Sequence, residues 1–118
     1  MLPLQITFRG FSSSEALEAK VRFKVEKLEQ LFGSITSCRV VIEAPHNHQQ
    51  KGNSFRVSID LTIPHGELVA RSGGGPAHQD VYIAVRDAFD ALGRQLQSRV
   101  RRGRDAGKRR EPARAPAH

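Results

Sequence analysis

One segment, residues 78–102, does most to decide how this chain is arranged: HQDVYIAVRDAFDALGRQLQSRVRR. Its apolar residues recur at three- and four-residue steps, which places them along one side of an α-helix; they are Val81, Val85, Ala88, Phe89, Leu92 and Leu96. Toward its end the segment loses apolar residues and gains arginines, at Arg94, Arg99, Arg101 and Arg102. One half of this helix is therefore suited to burial, and the other half to contact with negative charge.

An earlier helix is predicted from about Ser13 to Phe32, because Ser12 and Glu15 have the spacing of a capping box and Gly33 follows as a stop signal. Its predicted core stripe consists of Leu17, Val21, Val25, Leu28, Leu31 and Phe32. Along one margin of that stripe fall Lys20, Lys24 and Lys27, while Glu18, Glu26 and Glu29 fall on the other side. Lysines in this position are either a solvated flank whose aliphatic stems cover the core edge, or a binding surface. The separation of lysine from glutamate favours binding, because a helix that needs only solubility more often interleaves the two charges.

Four segments show the alternation of apolar and polar residues that is typical of strands: Leu4–Arg9, Cys38–Ala44, Ser54–Ile63 and Glu67–Arg71. The order β-α-β-β-β-α predicts an α+β fold, in which a four-stranded sheet carries two helices packed on one face. The last three strands are expected to form an antiparallel meander. The opposite face of the sheet is expected to be a mixed polar surface formed by Gln5, Thr7, Arg39, Arg56, Ser58, Asp60 and Thr62. We expect one domain over residues 1–102, followed by a disordered basic tail over residues 103–118.

The positive charge is concentrated at the end of the chain. The net charge is +7, but residues 1–97 contain 11 Lys and Arg against 10 Asp and Glu, whereas residues 98–118 contain 8 against 2. This asymmetry suits a protein that binds a polyanion, although a solubilising tail has the same composition. The sequence contains no apolar run long enough to span a membrane, and its beginning lacks the features of a secretion signal. Together with a single cysteine, Cys38, these features indicate a cytoplasmic protein.

Other candidate chemistry is weakly supported. His46 and His48, with Cys38 and His65, suggest a metal site, but their spacing is not that of known zinc sites, and a polar loop is the preferred interpretation. Residues 73–75 are three glycines before a helix, which favours a hinge or cap over a phosphate site, because the Lys-Ser/Thr of a P-loop is missing and Asp80 repels anions. We find no nucleophile–base set, so we expect no enzyme, no cofactor, no metal and no small-molecule substrate.

The remaining signal is cationic. If the two helices lie side by side, their outer faces form one basic groove whose predicted RNA-binding residues are Lys20, Lys24, Lys27, Arg94, Arg99, Arg101 and Arg102. Most aromatic residues are phenylalanines at positions expected to be buried, so stacking platforms for bases are not expected. The predicted mode is recognition of the backbone and shape of folded RNA.

The helical segments EALEAKVRFKVEKLEQLF (residues 15–32) and QDVYIAVRDAFDALGRQL (residues 79–96) resemble the two helical signatures of the ribosome hibernation promoting factor family. This family includes the ribosome-associated translation inhibitor and is also called the sigma-54 modulation family. The opening LQITFRG is similar to the family's first strand.

The resemblance implies a fold similar to that of a double-stranded-RNA-binding domain. It also implies that the protein binds the 16S rRNA of the small ribosomal subunit, in the channel for messenger and transfer RNA. Such a factor inhibits translation by occlusion, without chemistry, under stress. The family's basic positions map onto Lys24, Lys27, Arg94, Arg99, Arg101 and Arg102, and helix geometry adds Lys20. We expect a monomer off the ribosome; whether ribosomes are dimerised or only inactivated stays open. The alternatives are a general structured-RNA-binding module that is not specific to the ribosome, and a small protein-interaction or metal-loop domain whose basic tail only solubilises it.

Overall fold

A computed structural model of the chain describes residues 2–44 and 54–114, and the side chains of those residues as far as residue 102. Four strands and two main helices follow one another in the predicted order. They are β1 (Leu4–Arg9), α1 (Glu15–Phe32), β2 (Ser37–Glu43), β3 (Arg56–Ile63), β4 (Gly66–Gly73) and α2 (Val81–Arg114), with a short 3₁₀ helix (Pro76–Gln79) before α2. His46, His48 and residues 115–118 lie outside the described residues.

The strands form a single mixed sheet with the spatial order β1-β2-β3-β4. β1 runs parallel to β2, with Leu4 opposite Cys38, and the intervening α1 is the crossover that such a parallel pair requires. The pairs β2–β3 and β3–β4 are antiparallel, so the predicted meander of the last three strands is confirmed.

Both helices cover the same face of this sheet. Alternate residues of the two central strands point toward the helices and are buried; they are Cys38, Val40 and Ile42 on β2, and Val57, Ile59 and Leu61 on β3. They form one core with the apolar stripes of α1 and α2, whose buried members are Leu17, Val21, Val25, Leu28, Ala84, Val85, Ala88, Phe89, Leu92 and Leu96. The predicted α+β architecture is therefore confirmed.

The N-cap of α1 is Ser14, two residues later than the predicted N-cap Ser12. Ser14 adopts an extended conformation and its hydroxyl accepts a hydrogen bond from the Leu17 amide at 3.2 Å, so Ser14 is the N-cap. Ser12 was the wrong choice because three consecutive serines have the same capping chemistry, and the sequence does not distinguish among them. The helix ends as predicted at Gly33, whose φ of 72° is a conformation that glycine adopts easily and whose amide donates to the Glu29 carbonyl.

α2 differs from its predicted bounds at both ends. It begins after Asp80, whose carboxylate accepts a hydrogen bond from the Tyr82 amide at 2.9 Å and so caps the helix. It continues to Arg114, past residue 102, where a disordered tail was expected to start. Arg, Lys, Ala and Glu predominate in residues 103–114 and favour helix, whereas Gly103, Gly107 and Pro112 disfavour it. Among the described residues, no helix is long and apolar enough to cross a membrane.

Candidate nucleic-acid interface

A groove runs between the two helices on the outer side of the molecule, and we call it the interhelical groove. Its volume is about 390 Å³, and it is lined from α1 by Phe23, Lys24, Lys27, Leu28, Leu31 and Phe32, and from α2 by Phe89, Asp90, Gly93, Arg94 and Gln97. The buried side chains of Leu28 and Phe89 belong to the core and so form its floor. Gly93 contributes no side chain to the α2 wall, which widens the groove there.

Three of the predicted cations meet in this groove. Lys24 and Lys27 lie on the α1 wall, and Arg94 lies on the α2 wall. In the part of the chain whose side chains are described, none of the three forms an ion pair with a carboxylate. Their charges therefore remain available to an external anion such as a phosphate group.

Lys20 continues the lysine row toward the start of α1. It is exposed and lies about 40° around the helix from Lys24, one turn earlier, on the same flank. It does not line the interhelical groove itself. A longer ligand that follows the groove toward the start of α1 would meet it.

The arginines at the end of α2 do not share one face. At 100° per residue, Arg101 lies about 20° from Arg94, whereas Arg102 and Arg99 lie about 80° and 140° away. Arg99 turns toward the β3–β4 connection, where its Nη2 donates to the His65 carbonyl at 3.3 Å. Arg102 donates from Nη1 to the Ser98 hydroxyl at 3.0 Å and remains exposed. Of these three arginines, Arg101 is therefore the one that extends the groove's cationic row along α2.

Leu31, a member of the predicted core stripe, and Phe23, which was expected to be buried like the other phenylalanines, are both exposed on α1. Leu31 is 74% exposed and Phe23 is 55% exposed, and both line the interhelical groove. Leu31 lies about 80° around the helix from Val21 and about 120° from Val25, which puts it beyond the part of the stripe that α2 and the sheet cover. The Lys27 ammonium sits 5.4 Å from the centre of the Phe23 ring, a cation–π distance.

Arg86, Asp90 and Arg94 are spaced four residues apart on α2, but Arg86 forms its ion pair with Asp87. Arg86 donates from Nε and Nη2 to Asp87 Oδ1 at 3.1 and 3.0 Å, rather than to Asp90. The other oxygen of Asp87 lies 2.7 Å from His78 Nε2, and hydrogen bonds from His78 and then Arg86 hold the Asp87 pKa below its usual value. Asp90 lies in the interhelical groove, so one negative charge faces the three cations.

The other candidate sites are Cys38, the histidine loop and the glycine run, and the structure describes the first and the last of them. Cys38 points into the core and is 3% exposed. Among residues 2–44 and 54–102, no three His, Cys, Asp or Glu side chains are grouped as a metal site would require, and the candidate ligands His46 and His48 lie outside the described residues. The glycine run is a backbone turn: φ is 130° at Gly73 and 88° at Gly74, and the Gly75 carbonyl accepts from the Ser54 hydroxyl at 2.7 Å.

The helix-free face of the sheet carries charges of both signs, as expected. Arg39 and Asp60 are opposite each other in the register of β2 and β3, and their side chains lie 3.8 Å apart. Mixed charges attract a polyanion less strongly than the cations of the interhelical groove do.

The sequence of the chain is similar to a known protein family and to individual proteins. The family model described as Sigma 54 modulation protein / S30EA ribosomal protein matches residues 4–104. The chain is 30% identical over 118 residues to the ribosome hibernation promotion factor of Deinococcus radiodurans, covering 96% of this chain and 58% of that protein, so it spans little more than half of that relative's length. It is 28% identical over 96 residues to the ribosome hibernation promoting factor of Pseudomonas putida, covering 81% of this chain and 84% of the relative.

Two solved structures share the fold. A ribosomal subunit interface protein from Coxiella burnetii superposes with a TM-score of 0.67 at 18% identity, covering 82% of this chain and 96% of that one. The N-terminal domain of Thermus thermophilus Protein Y also has a TM-score of 0.67, at 20% identity, covering 83% of this chain and 98% of that one.

Proposed function

Because the chain belongs to the Sigma 54 modulation protein / S30EA ribosomal protein family, we propose that it associates with the ribosome as a hibernation factor. The names of its relatives from Deinococcus radiodurans and Pseudomonas putida support this role. Association with ribosomes also implies a cytoplasmic protein. The function is binding rather than catalysis, since the described side chains that face the interhelical groove are suited to holding an anion.

The proposed partner is the 16S rRNA of the small subunit, and the proposed contact surface is the interhelical groove with its extensions. The observation that carries this proposal is the convergence of Lys24, Lys27 and Arg94, from two helices, on one groove without carboxylate partners among the described side chains. Lys20 and Arg101 lengthen the same row, and Arg102 lies beside it. Arg99 instead acts mainly by holding the β3–β4 turn against α2.

The proposed mechanism is occlusion. A domain bound to rRNA phosphates in the channel for messenger and transfer RNA excludes both ligands by volume alone, so no bond has to form or break. Phosphate contacts release condensed counterions, and binding therefore weakens steeply as the salt concentration rises.

Co-sedimentation with purified small subunits over a salt series tests this proposal. The variant Lys24→Ala/Lys27→Ala/Arg94→Ala removes three positive charges from the groove. The matched control Arg22→Ala/Arg56→Ala/Arg71→Ala removes three exposed positive charges elsewhere. Each lost phosphate contact lowers the slope of log affinity against log salt by about 1, so we expect a loss of roughly 3 in the groove variant. The control should pellet like the unaltered protein; equal weakening of both variants contradicts the assignment of the groove.

Competition separates the ribosomal role from general binding to structured RNA. An occupant of the channel is displaced from small subunits by messenger RNA together with initiator transfer RNA. A general binder is displaced equally well by any long RNA duplex at the same phosphate concentration, and that result would contradict a ribosome-specific role.

A further inference from the structure

The interhelical groove contains an aromatic ring that folding leaves in contact with water. Phe23 is 55% exposed and its neighbour in the groove, Leu31, is 74% exposed. Exposed apolar surface is unfavourable, and its position beside cations within a groove indicates a ligand-contacting surface. General recognition of a phosphate backbone does not require either side chain, because lysine and arginine suffice for it.

From this placement we propose that the groove binds an unpaired nucleotide, whose base stacks on Phe23 while its phosphates contact Lys24, Lys27 and Arg94. This inference rests on the proposed RNA-binding function and specifies the ligand of that same groove. It replaces the expectation from the sequence that the protein lacks a stacking platform.

The position of Lys27 connects the two halves of this site. Its ammonium lies 5.4 Å from the centre of the Phe23 ring, so a phosphate bound to Lys27 brings the attached nucleoside within reach of the ring. Aromatic rings accept any base by stacking, and a neighbouring cation adds to the attraction. Leu31 extends the apolar surface next to Phe23 in the same groove.

The size and charge of the groove favour a single-stranded ligand over the alternatives. Its volume of about 390 Å³ lies near the lower end of the range for small-ligand pockets, which fits one nucleotide. A duplex keeps the faces of its bases stacked internally, so they are not available to Phe23. An apolar peptide helix would leave three cations of the groove without anionic partners.

The chain contains no tryptophan, so Phe23→Trp introduces a single fluorescent reporter at the proposed platform. The titrant is a single-stranded oligoadenylate of about eight nucleotides, with a duplex of equal phosphate content as the comparison. We expect the oligoadenylate to quench the fluorescence of the introduced tryptophan and the duplex to leave it unchanged. The control Val69→Trp places the reporter on the helix-free face, where Val69 is 41% exposed, and its fluorescence should not respond to either RNA.

A second measurement uses the natural aromatic residue. Phe23→Ala should bind the oligoadenylate roughly five- to 150-fold more weakly, the range expected for loss of one stacked base, with little change for the duplex. Because Phe23 is more than half exposed, the thermal unfolding midpoint of this variant should stay close to that of the unaltered protein.

These results separate the inference from the function on which it rests. Loss of small-subunit binding in the Lys24→Ala/Lys27→Ala/Arg94→Ala variant, combined with unquenched fluorescence of the Phe23→Trp variant, overturns base stacking and leaves the ribosomal role standing. Weaker binding to subunits by Phe23→Ala without quenching by the oligoadenylate also overturns it, because Phe23 would then contribute to subunit binding without stacking on an unpaired base.

Discussion

Cys38 faces the helices from β2 and is 3% exposed, enclosed by the apolar core. Burial, with a smaller contribution from the negative charge of Asp60, raises the pKa of its thiol from 9.0 to about 12. The reactive form of cysteine is the thiolate, so this thiol is inert near neutral pH. Its role is to fill space in the core.

The raised pKa predicts both a chemical and a thermodynamic behaviour. At pH 8 a maleimide reagent should label Cys38 only as fast as the protein unfolds. Because the folded-state pKa is above the unfolded value of 9.0, the thiol's contribution to stability is complete below pH 9 and is lost as pH rises toward about 12. The unfolding midpoint should therefore fall across that range.

Cys38→Ala is the control for this prediction. Because this variant has no thiol to ionise, its unfolding midpoint should fall less between pH 9 and about 12 than that of the unaltered protein. Rapid stoichiometric labelling of the folded protein at pH 8 would contradict the burial of Cys38.

At the scale of single elements, sequence periodicity predicts the helix faces well near their centres and poorly at their margins. Leu17, Val21, Val25 and Leu28 are buried as their spacing indicates. The burial of Leu31 depends instead on how far α2 and the sheet extend around α1, which is a tertiary property.

Sequence periodicity has the same limit for the arginines of α2 that were predicted to bind RNA. Helical spacing places Arg101 near Arg94 and turns Arg99 away from it. The destination of Arg99 depends on a β3–β4 turn more than thirty residues earlier, whose His65 carbonyl accepts its hydrogen bond. No local pattern contains that information, whereas the lysine row of α1 was predictable because it lies within one helix.

Two glycines in different elements should respond oppositely to the same substitution. A Cβ on Gly93 would meet nothing within 4 Å, so Gly93→Ala should stabilise α2 by about 0.5–1 kcal/mol through lower backbone entropy in the unfolded chain. A Cβ on Gly73, where φ is 130°, would lie 2.6 Å from the Phe55 carbonyl oxygen, so Gly73→Ala should destabilise the protein by more than about 1 kcal/mol. Chemical denaturation measures both changes.

The two variants serve as controls for each other, since each adds one methyl group at a glycine. A decrease in stability for Gly93→Ala would show that the α2 wall is more crowded than the structure indicates.

At the scale of the whole molecule, the element order was sufficient to predict the sheet, its meander and the common face for both helices. Two apolar stripes and one apolar sheet face have few ways to cover one another, which is why the architecture follows from the pattern. The length of α2 was not predictable in this way, because residues 103–114 carry no apolar stripe and only their helix propensity bears on the question.

The position of the core predicts the effect of removing the C-terminal residues. Among side chains that the structure describes, the last buried core residue is Leu96. Deleting residues 103–118 should therefore shift the unfolding midpoint by no more than about 2 °C. The deletion removes five Lys or Arg and two acidic residues, so the net charge of +7 falls to +4 and affinity for RNA at low salt should decrease.

A matched control for the deletion replaces Arg104, Lys108 and Arg109 by glutamine, which also removes three positive charges while keeping the length. If only the deletion lowers affinity, then the segment acts through contacts other than charge.

The parallel pairing of β1 with β2 has a consequence for how a nascent chain acquires this structure. β3 and β4 join through a tight hairpin, with Ile63 opposite Gly66, whereas Leu4 finds Cys38 only after all of α1 has been made. Pairing across a long stretch of chain is entropically slower than closing a hairpin. β1 therefore has no partner strand when it leaves the translating machinery, and its apolar side chains stay uncovered at least until α1 and β2 have followed.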